Sequence, residues 1–278
     1  MSATELPAVQ SRSRFNRNLR GAWLDAEMAV VGWRIWTTLA WNDITQRYRR
    51  SMLGPFWLTL STAIFVGALG FLYAGLMHME IRNYLPFVAV GYVVWGLASS
   101  FLGDAGQCFP SAEGYLRQVN ISKIGIVLRM VARNFIIFLH NAAVIVVVML
   151  IFRVVPGRHC WLIIPALVLN LWFGVAISLP LGMICTRFRD LNQMIASLIS
   201  VLFFVTPVFW NPATASKALA AVSRINPFSA FIATFRDPLL GYPIHAHDWI
   251  VALACSIVMT IFAIMFFVRF RSRIMYWI

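Results

Sequence analysis

Apolar positions in this 278-residue chain gather into long uncharged runs separated by short polar, basic segments. Crossing about 30 Å of hydrocarbon takes about 20 helical residues at 1.5 Å each. Runs at 51–79, 83–103, 134–152, 159–186, 191–216 and 249–268 meet or approach that length. They predict an all-α integral membrane fold with six transmembrane helices per protomer, at about 55–78, 84–106, 126–152, 160–185, 191–210 and 248–268. The third run is the shortest, and its helix starts earlier if Arg129 and Arg133 reach the interface with their charged heads. Pro207 and Pro212 should end or break the fifth helix near Thr206. An eleven-residue apolar piece at 225–235, with Pro227 near its start, is too short to cross. Residues 210–247 therefore read as two short amphipathic elements split at Asn226-Pro227, giving an outer re-entrant segment at 211–241; a plain loop is the alternative.

Residues 1–50 read as a cytoplasmic tail followed by an interfacial helix, and 51–278 as the six-helix domain. Trp33, Trp36 and Leu39/Ala40 recur at helical spacing among Trp23, Trp41, Arg34, Arg47, Asp25 and Asp43. That mixture suits an amphipathic helix lying in the headgroup plane. Residues before about Asn18 are expected to be unstructured. The segment 2–20 lacks the compact apolar stretch of a cleavable signal peptide, so the spans themselves are expected to drive insertion.

Composition agrees with the spans. The chain is 60% apolar and only 12% charged, where a soluble domain carries roughly a quarter. A net charge of +13 would suit nucleic acid in a soluble protein, but a mean hydropathy of +0.77 excludes one. With six spans both termini share a side, and the Lys/Arg bias places it in the cytoplasm. Arg12, Arg14, Arg17, Arg20, Arg34, Arg47, Arg49, Arg50, Arg117, Lys123, Arg129, Arg133, Arg187, Arg189, Arg269, Arg271 and Arg273 then lie inside. Only Arg82, Arg153, Arg158, Lys217, Arg224 and Arg236 lie outside.

Candidate chemistry is sparse. A phosphate-cradling G-x-x-x-x-G-K-[ST] loop cannot exist, since the only lysines are Lys123, followed by Ile, and Lys217, followed by Ala. No cofactor, catalytic or metal residue is assigned, and the four cysteines have no zinc or disulfide spacing. His245, His247 and Asp248 are either interfacial or a minimal metal site, and His140 and Asn141 serve either an interhelical hydrogen bond or a substrate path. Asp104 with Arg129 and Arg133 either forms a salt-bridged inner gate or simply marks the interface. Span interiors otherwise lack charge, which argues against an ion-coupled carrier. What they do hold is aromatic rings, and those suit the C–H faces of sugars as well as plain packing.

Four stretches resemble the permease subunit of ABC-2-type transporters, in the polysaccharide (O-antigen, capsule, teichoic acid) export branch. Arg47-Tyr48-Arg49-Arg50-Ser51-Met52-Leu53-Gly54-Pro55-Phe56-Trp57 is similar to the family's R-Y-x-x-S-x-L-G-x-x-W. The stretch 115–141, YLRQVNISKIGIVLRMVARNFIIFLHN, is similar to its cytoplasmic coupling region and following helix. Phe188-Arg189-Asp190-Leu191 leading to Thr206-Pro207-Val208-Phe209 resembles R-D-[IL]…P-V, and Ile225-Asn226-Pro227-Phe228 through Phe235-Arg236-Asp237-Pro238-Leu239-Leu240-Gly241 resembles N-P…F-R-D-x-L-L-G.

The resemblance implies a homodimer in the bacterial inner membrane, bound to two copies of an ABC ATPase subunit that holds ATP and Mg. Its substrate would be a lipid-linked glycan, with membrane lipids around it and no nucleic acid. By the same resemblance, Tyr73, Trp95, Phe101, Phe203, Phe204 and Phe209 would line a path between protomers, and 211–241 would cap its outer mouth. Arg47, Arg49, Arg50, Arg117, Lys123, Arg189 and Asp190 would meet the ATPase. Where the family often has Tyr after P-V this chain has Phe209-Trp210, so glycan specificity does not transfer. Alternatives are an exporter of a drug or lipid with the same fold, and a polytopic membrane enzyme that modifies glycans.

Overall fold

The computed structural model describes residues 5–49, 54, 56–76, 78–119, 121–212 and 214–278, and their side chains except those of 5–16 and 48. Arg50, expected at the ATPase contact, lies outside them. Among the described residues there is no strand. The α-helices are α1 (Glu5–Val31), α2 (Trp33–Tyr48), α3 (Phe56–Leu76), α4 (Ile81–Cys108), α5 (Glu113–Gln118), α6 (Lys123–Phe152), α7 (Ile163–Arg187), α8 (Leu191–Val205), α9 (Lys217–Ile225), α10 (Pro227–Leu240), α11 (Ala246–Phe270) and α12 (Ile274–Trp277).

Five of these, α3, α4, α6, α7 and α11, are long and apolar enough to cross a membrane. Lipid is as apolar as leucine, so what holds such helices together is close packing and interhelical hydrogen bonds. The helix α4 is the hub, with 72% of its apolar segment inside the molecule against 17% for α3 and 22% for the last span. Small residues let its neighbours approach. A Cβ on Gly182 of α7 would stand 2.8 Å from the Ala105 carbonyl, and one on Gly174 would strike the ring of Phe101. Ser178 of α7 donates to the Phe101 carbonyl at 3.0 Å. Between α3 and α6, Thr59 donates to the His140 carbonyl at 3.1 Å and Thr62 to the Asn141 Oδ1 at 3.2 Å. The His140 ring bonds the Ile136 carbonyl of its own helix at 2.8 Å, so this polar pair serves helix packing.

The helix α8 has 15 residues, about 22 Å, which is short for a span. Its position on α4 resolves the shortfall. Asn192 packs on Gly106, Ile199 reaches Gly103, and a Cβ on Gly91 would come within 2.5 Å of the Val208 carbonyl. Further along, the Tyr84 hydroxyl donates to the Phe209 carbonyl. From Gly106 to Tyr84 is about 33 Å of α4, and α8 with the non-helical 206–210 covers all of it. The helix stops at Val205, before Pro207, as the sequence predicts.

The plain-loop alternative for 210–247 is replaced by two helices, α9 and α10, bent by 91° at Asn226. Asn226 caps α10 by accepting from the Phe228 N–H at 3.0 Å, and Pro227 fills the first helical position, where no N–H is needed. Gly241, at φ 75°, ends it in the left-handed region. Phe228, Phe231, Ile232 and Phe235 bury this helix within the molecule.

Upstream of the spans, α1 begins at Glu5, where irregular chain was expected before Asn18. Pro7 does not oppose it, because the first turn has no intrahelical partner for its N–H anyway. On α2, Ala40 and Ile44 are buried, while Trp33 and Trp41 stay more than half exposed. Trp36 bridges the two helices by donating from its indole to the Ala29 carbonyl at 2.9 Å.

Candidate functional site

Two features converge at opposite ends of α8. The first is a ladder of aromatic rings. Tyr73 of α3 meets Phe209 at 5.1 Å between centroids, Phe209 meets Phe203 at 5.5 Å, and Phe203 meets both Phe204 at 5.5 Å and Trp95 of α4 at 6.1 Å. Trp95 passes the series inward to Phe228 of α10 at 5.7 Å, and Tyr92 of α4 flanks it edge-on to Phe203 at 6.3 Å. Edge-to-face and offset contacts of this kind contribute roughly 0.5–1.5 kcal/mol per pair.

Polar contacts fix the ladder where α8 unwinds. Asn226 donates to the Thr206 hydroxyl at 2.8 Å, Arg236 donates to the Pro207 carbonyl at 2.8 Å, and the Trp210 indole donates to the Phe204 carbonyl at 3.0 Å. Two of these bonds tie the end of α8 to Asn226 and α10, and the third folds Trp210 back onto α8. The outer face of α8 is mostly apolar, with Ser197 also exposed on it, and is uncovered within the protomer. Met194, Leu198, Val201 and Phe204 recur there at helical spacing, and Phe204 is 61% exposed.

Five of the six aromatics expected on the path thus share one connected cluster. Phe101, the sixth, stands apart: it is fully buried, with its ring on Gly174. Apolar periodicity cannot separate the two situations, because a ring against lipid, against a channel or against a neighbouring helix occupies the same kind of position.

The second feature is a set of ion pairs where α1, α2 and Arg271 meet α6 and the end of α4. Asp43 of α2 takes a two-pronged bond from Arg129 of α6, with Nε at 2.8 Å. Arg133 bridges Asp104 of α4 at 2.8 Å. Asp43 also lies 3.9 Å from Arg133, so it joins Arg129 to the Arg133–Asp104 pair in one network. Deeper still, Asp25 of α1 is fully buried and accepts from Ser122 Oγ at 2.7 Å, the Ile124 N–H at 3.0 Å and Arg271 at 3.1 Å. Ser122 also caps α6, accepting from the Gly125 N–H at 2.9 Å. These donors satisfy a carboxylate whose burial without partners would be costly.

The described coupling residues surround these pairs. Arg47 lines a cavity with Asp43, Asp104 and Arg133, and Arg49, just after α2, is exposed. Arg117 on α5 is exposed and, among the described residues, pairs only with Glu113, one turn away, at 2.9 Å. Arg189 and Asp190 form the exposed turn between α7 and α8. Lys123, the first residue of α6, instead sits beside Arg271 and Asp25. Asp25 and Asp43 carry roles that sequence patterning did not assign. Their signal was scarcity, since an acid kept among so many arginines usually has an internal partner.

No group of three metal-ligating side chains occurs among the described residues, and His247 only approaches Asp248 at 3.5 Å. Burial raises the phenol of Tyr242, in the loop after α10, above its ordinary pKa, with Arg236 opposing and Asp237 adding to the shift.

Comparison with known proteins adds the family. The family described as ABC-2 type transporter matches residues 34–240. A relative from Myxococcus xanthus named O-antigen export system permease protein RfbA is 23% identical over 228 residues, covering 81% of this chain and 88% of the relative. Two proteins of that name from Klebsiella pneumoniae are 22% and 20% identical over 233 residues, each covering 84% of this chain and 90% of the relative.

Proposed function

The chain belongs to the ABC-2 type transporter family, and from that premise we propose that it is the membrane-spanning subunit of a bacterial exporter of lipid-linked polysaccharide of the O-antigen or capsule type. The single observation that carries this reading is the connected ladder of Tyr73, Phe209, Phe203, Phe204 and Trp95, opening onto the uncovered face of α8. Two copies would bring these faces together in a homodimer in the inner membrane, with termini in the cytoplasm. A sugar chain would then pass over ring faces, which bind its C–H surfaces while its hydroxyls stay wet. The relatives named for O-antigen export support the choice of cargo.

Energy would come from a separate pair of ABC ATPase subunits that bind ATP and Mg. Arg47, Arg49, Arg50, Arg117, Arg189 and Asp190 would meet them, and Lys123 would act from the inner edge of the same face. The Asp43–Arg129 pair would then pass a push on α2 to α6, and the Asp104–Arg133 pair would pass it on to α4. Tagged chain solubilised from its own cells is expected to bring down an ATP-binding cassette subunit in equal number. Recovery of a stable dimer with no such subunit would count against the coupling part of the reading.

A further inference from the structure

One face of α1 changes character along its length. Arg17, Arg20, Gly21, Leu24, Met28 and Val31 recur at helical spacing, so this stripe is basic at its start and apolar at its end. Two cavities lie along it and share Gly21, Leu24 and Arg271 as walls. The first, of about 410 Å³, is lined by Arg17, Arg20 and Arg271 with Asn18 and Ser272, and by no carboxylate or aromatic ring. Fully buried Asp25 offsets Arg271 by taking a bond from its Nε. That leaves Arg17 and Arg20, both exposed and without an ion pair among the described residues. The second cavity, of about 710 Å³, runs between α1, α2 and the start of α6. Its lining is mainly apolar and holds one carboxylate, Glu27, while Leu24, Val31 and Ile35 among its walls are 47%, 76% and 53% exposed.

Position narrows what can fill the two cavities. Val268 and Arg271 at the end of α11, and Ile121 and Ile126 at the start of α6, supply further walls. Both helices are long and apolar enough to cross a membrane. The cavities therefore open where two spans leave the hydrocarbon, at the depth of phospholipid headgroups. Charge decides the headgroup, since two uncompensated arginines attract an anion and the guanidinium fork matches phosphate oxygens. Length decides the rest. From Gly21 to Val31 the stripe runs about 15 Å, the reach of one leaflet's chains in a hydrocarbon core of about 30 Å. We infer that α1 holds a membrane phospholipid of net negative charge, with its phosphate among Arg17, Arg20 and Arg271 and an acyl chain laid along residues 24–35. The lipid fills the space between α1 and the ends of α6 and α11, so α1 is attached to the bundle partly through it. The site is independent of the cargo, because no ladder residue lines either cavity.

A phosphatidylglycerol probe with a diazirine midway along one acyl chain tests this on the full chain, purified in detergent with any subunit that accompanies it. Irradiation and peptide mapping are expected to place adducts on 24–39 and 121–126 in excess over the other lipid-exposed helices. Unlabelled phosphatidylglycerol should compete, while phosphatidylcholine and inorganic phosphate should not. Arg17→Gln and Arg20→Gln remove exposed charges that have no ion pair among the described residues, so folding is retained. Each should lower the adduct yield roughly fivefold, the usual effect of one basic group beside an anionic lipid surface. Equal competition by phosphatidylcholine would show a plain apolar surface, and full competition by inorganic phosphate a site for free anions. Stronger competition by lipid-linked glycan from the same cells would show a cargo site. Each of these overturns the inference, as does an adduct pattern spread evenly over α3, α6 and α11 or a yield unchanged in both variants. None of them touches the proposed export, which surface glycan tests separately.

Discussion

Phe101 and Phe204 are the same side chain in opposite situations. The ring of Phe101 fills the space over Gly174 and is fully buried, while that of Phe204 stands 61% exposed at the end of α8. Phe101→Ala opens a cavity and should cost about 3–5 kcal/mol of stability, read as a lowered Tm in detergent. Phe204→Ala should leave Tm unchanged but reduce export roughly two- to tenfold, the worth of one aromatic contact. The reverse pattern would exclude Phe204 from the path. Both residues were legible only as apolar, because burial in a bundle depends on which helix lies opposite. Gly174, which makes room for Phe101, is 73 positions away and carries no local mark. Asp25 is a similar case: its partners Ser122 and Arg271 lie on two other segments, so no spacing rule could join them.

At the scale of elements, the sequence was most informative where length and charge decide. The long apolar helices α3, α4, α6, α7 and α11 follow from the span test alone, and the stop at Val205 and the bend at Asn226 follow from proline. It was least informative about α8, whose 15 residues complete a crossing only through the bent, non-helical tail laid on Gly91. The early helix α1 escaped for a different reason: its polar sequence gives no periodic apolar face to read. Tertiary pairing also decides how α2 is held. Breaking the Asp43–Arg129 pair with Asp43→Ala or Arg129→Ala should cost about 3 kcal/mol, the lower end for a mostly buried pair. The double mutant should cost clearly less than the two single changes added together. Thermal unfolding of the four proteins in detergent measures the coupling, and strict additivity would show that α2 and α6 are held by packing alone.

For the whole molecule, the excess of arginine first reads as a topology signal, and the structure adds a second use for it. Part of the basic set is consumed internally, by Asp25, Asp43 and Asp104, and part remains free at the same end. That division separates the coupling candidates. Arg117→Glu should slow ATP turnover by the assembled complex without lowering Tm, because its partner among the described residues is a surface glutamate. Lys123→Glu should lower Tm as well, since it sets a carboxylate beside the buried Asp25. Equal Tm in both variants would contradict this assignment.

The central claim is that this chain carries a glycan outward past its aromatic ladder. Its most direct test is the amount of polysaccharide on the surface of cells whose own copy is deleted and then replaced by wild-type chain or by the F203A/F204A double variant. The account predicts loss of surface glycan on deletion with lipid-linked glycan accumulating inside, full restoration by the wild-type chain, and poor restoration by a double variant that still folds. Surface glycan that persists after deletion, with none retained inside, would contradict it.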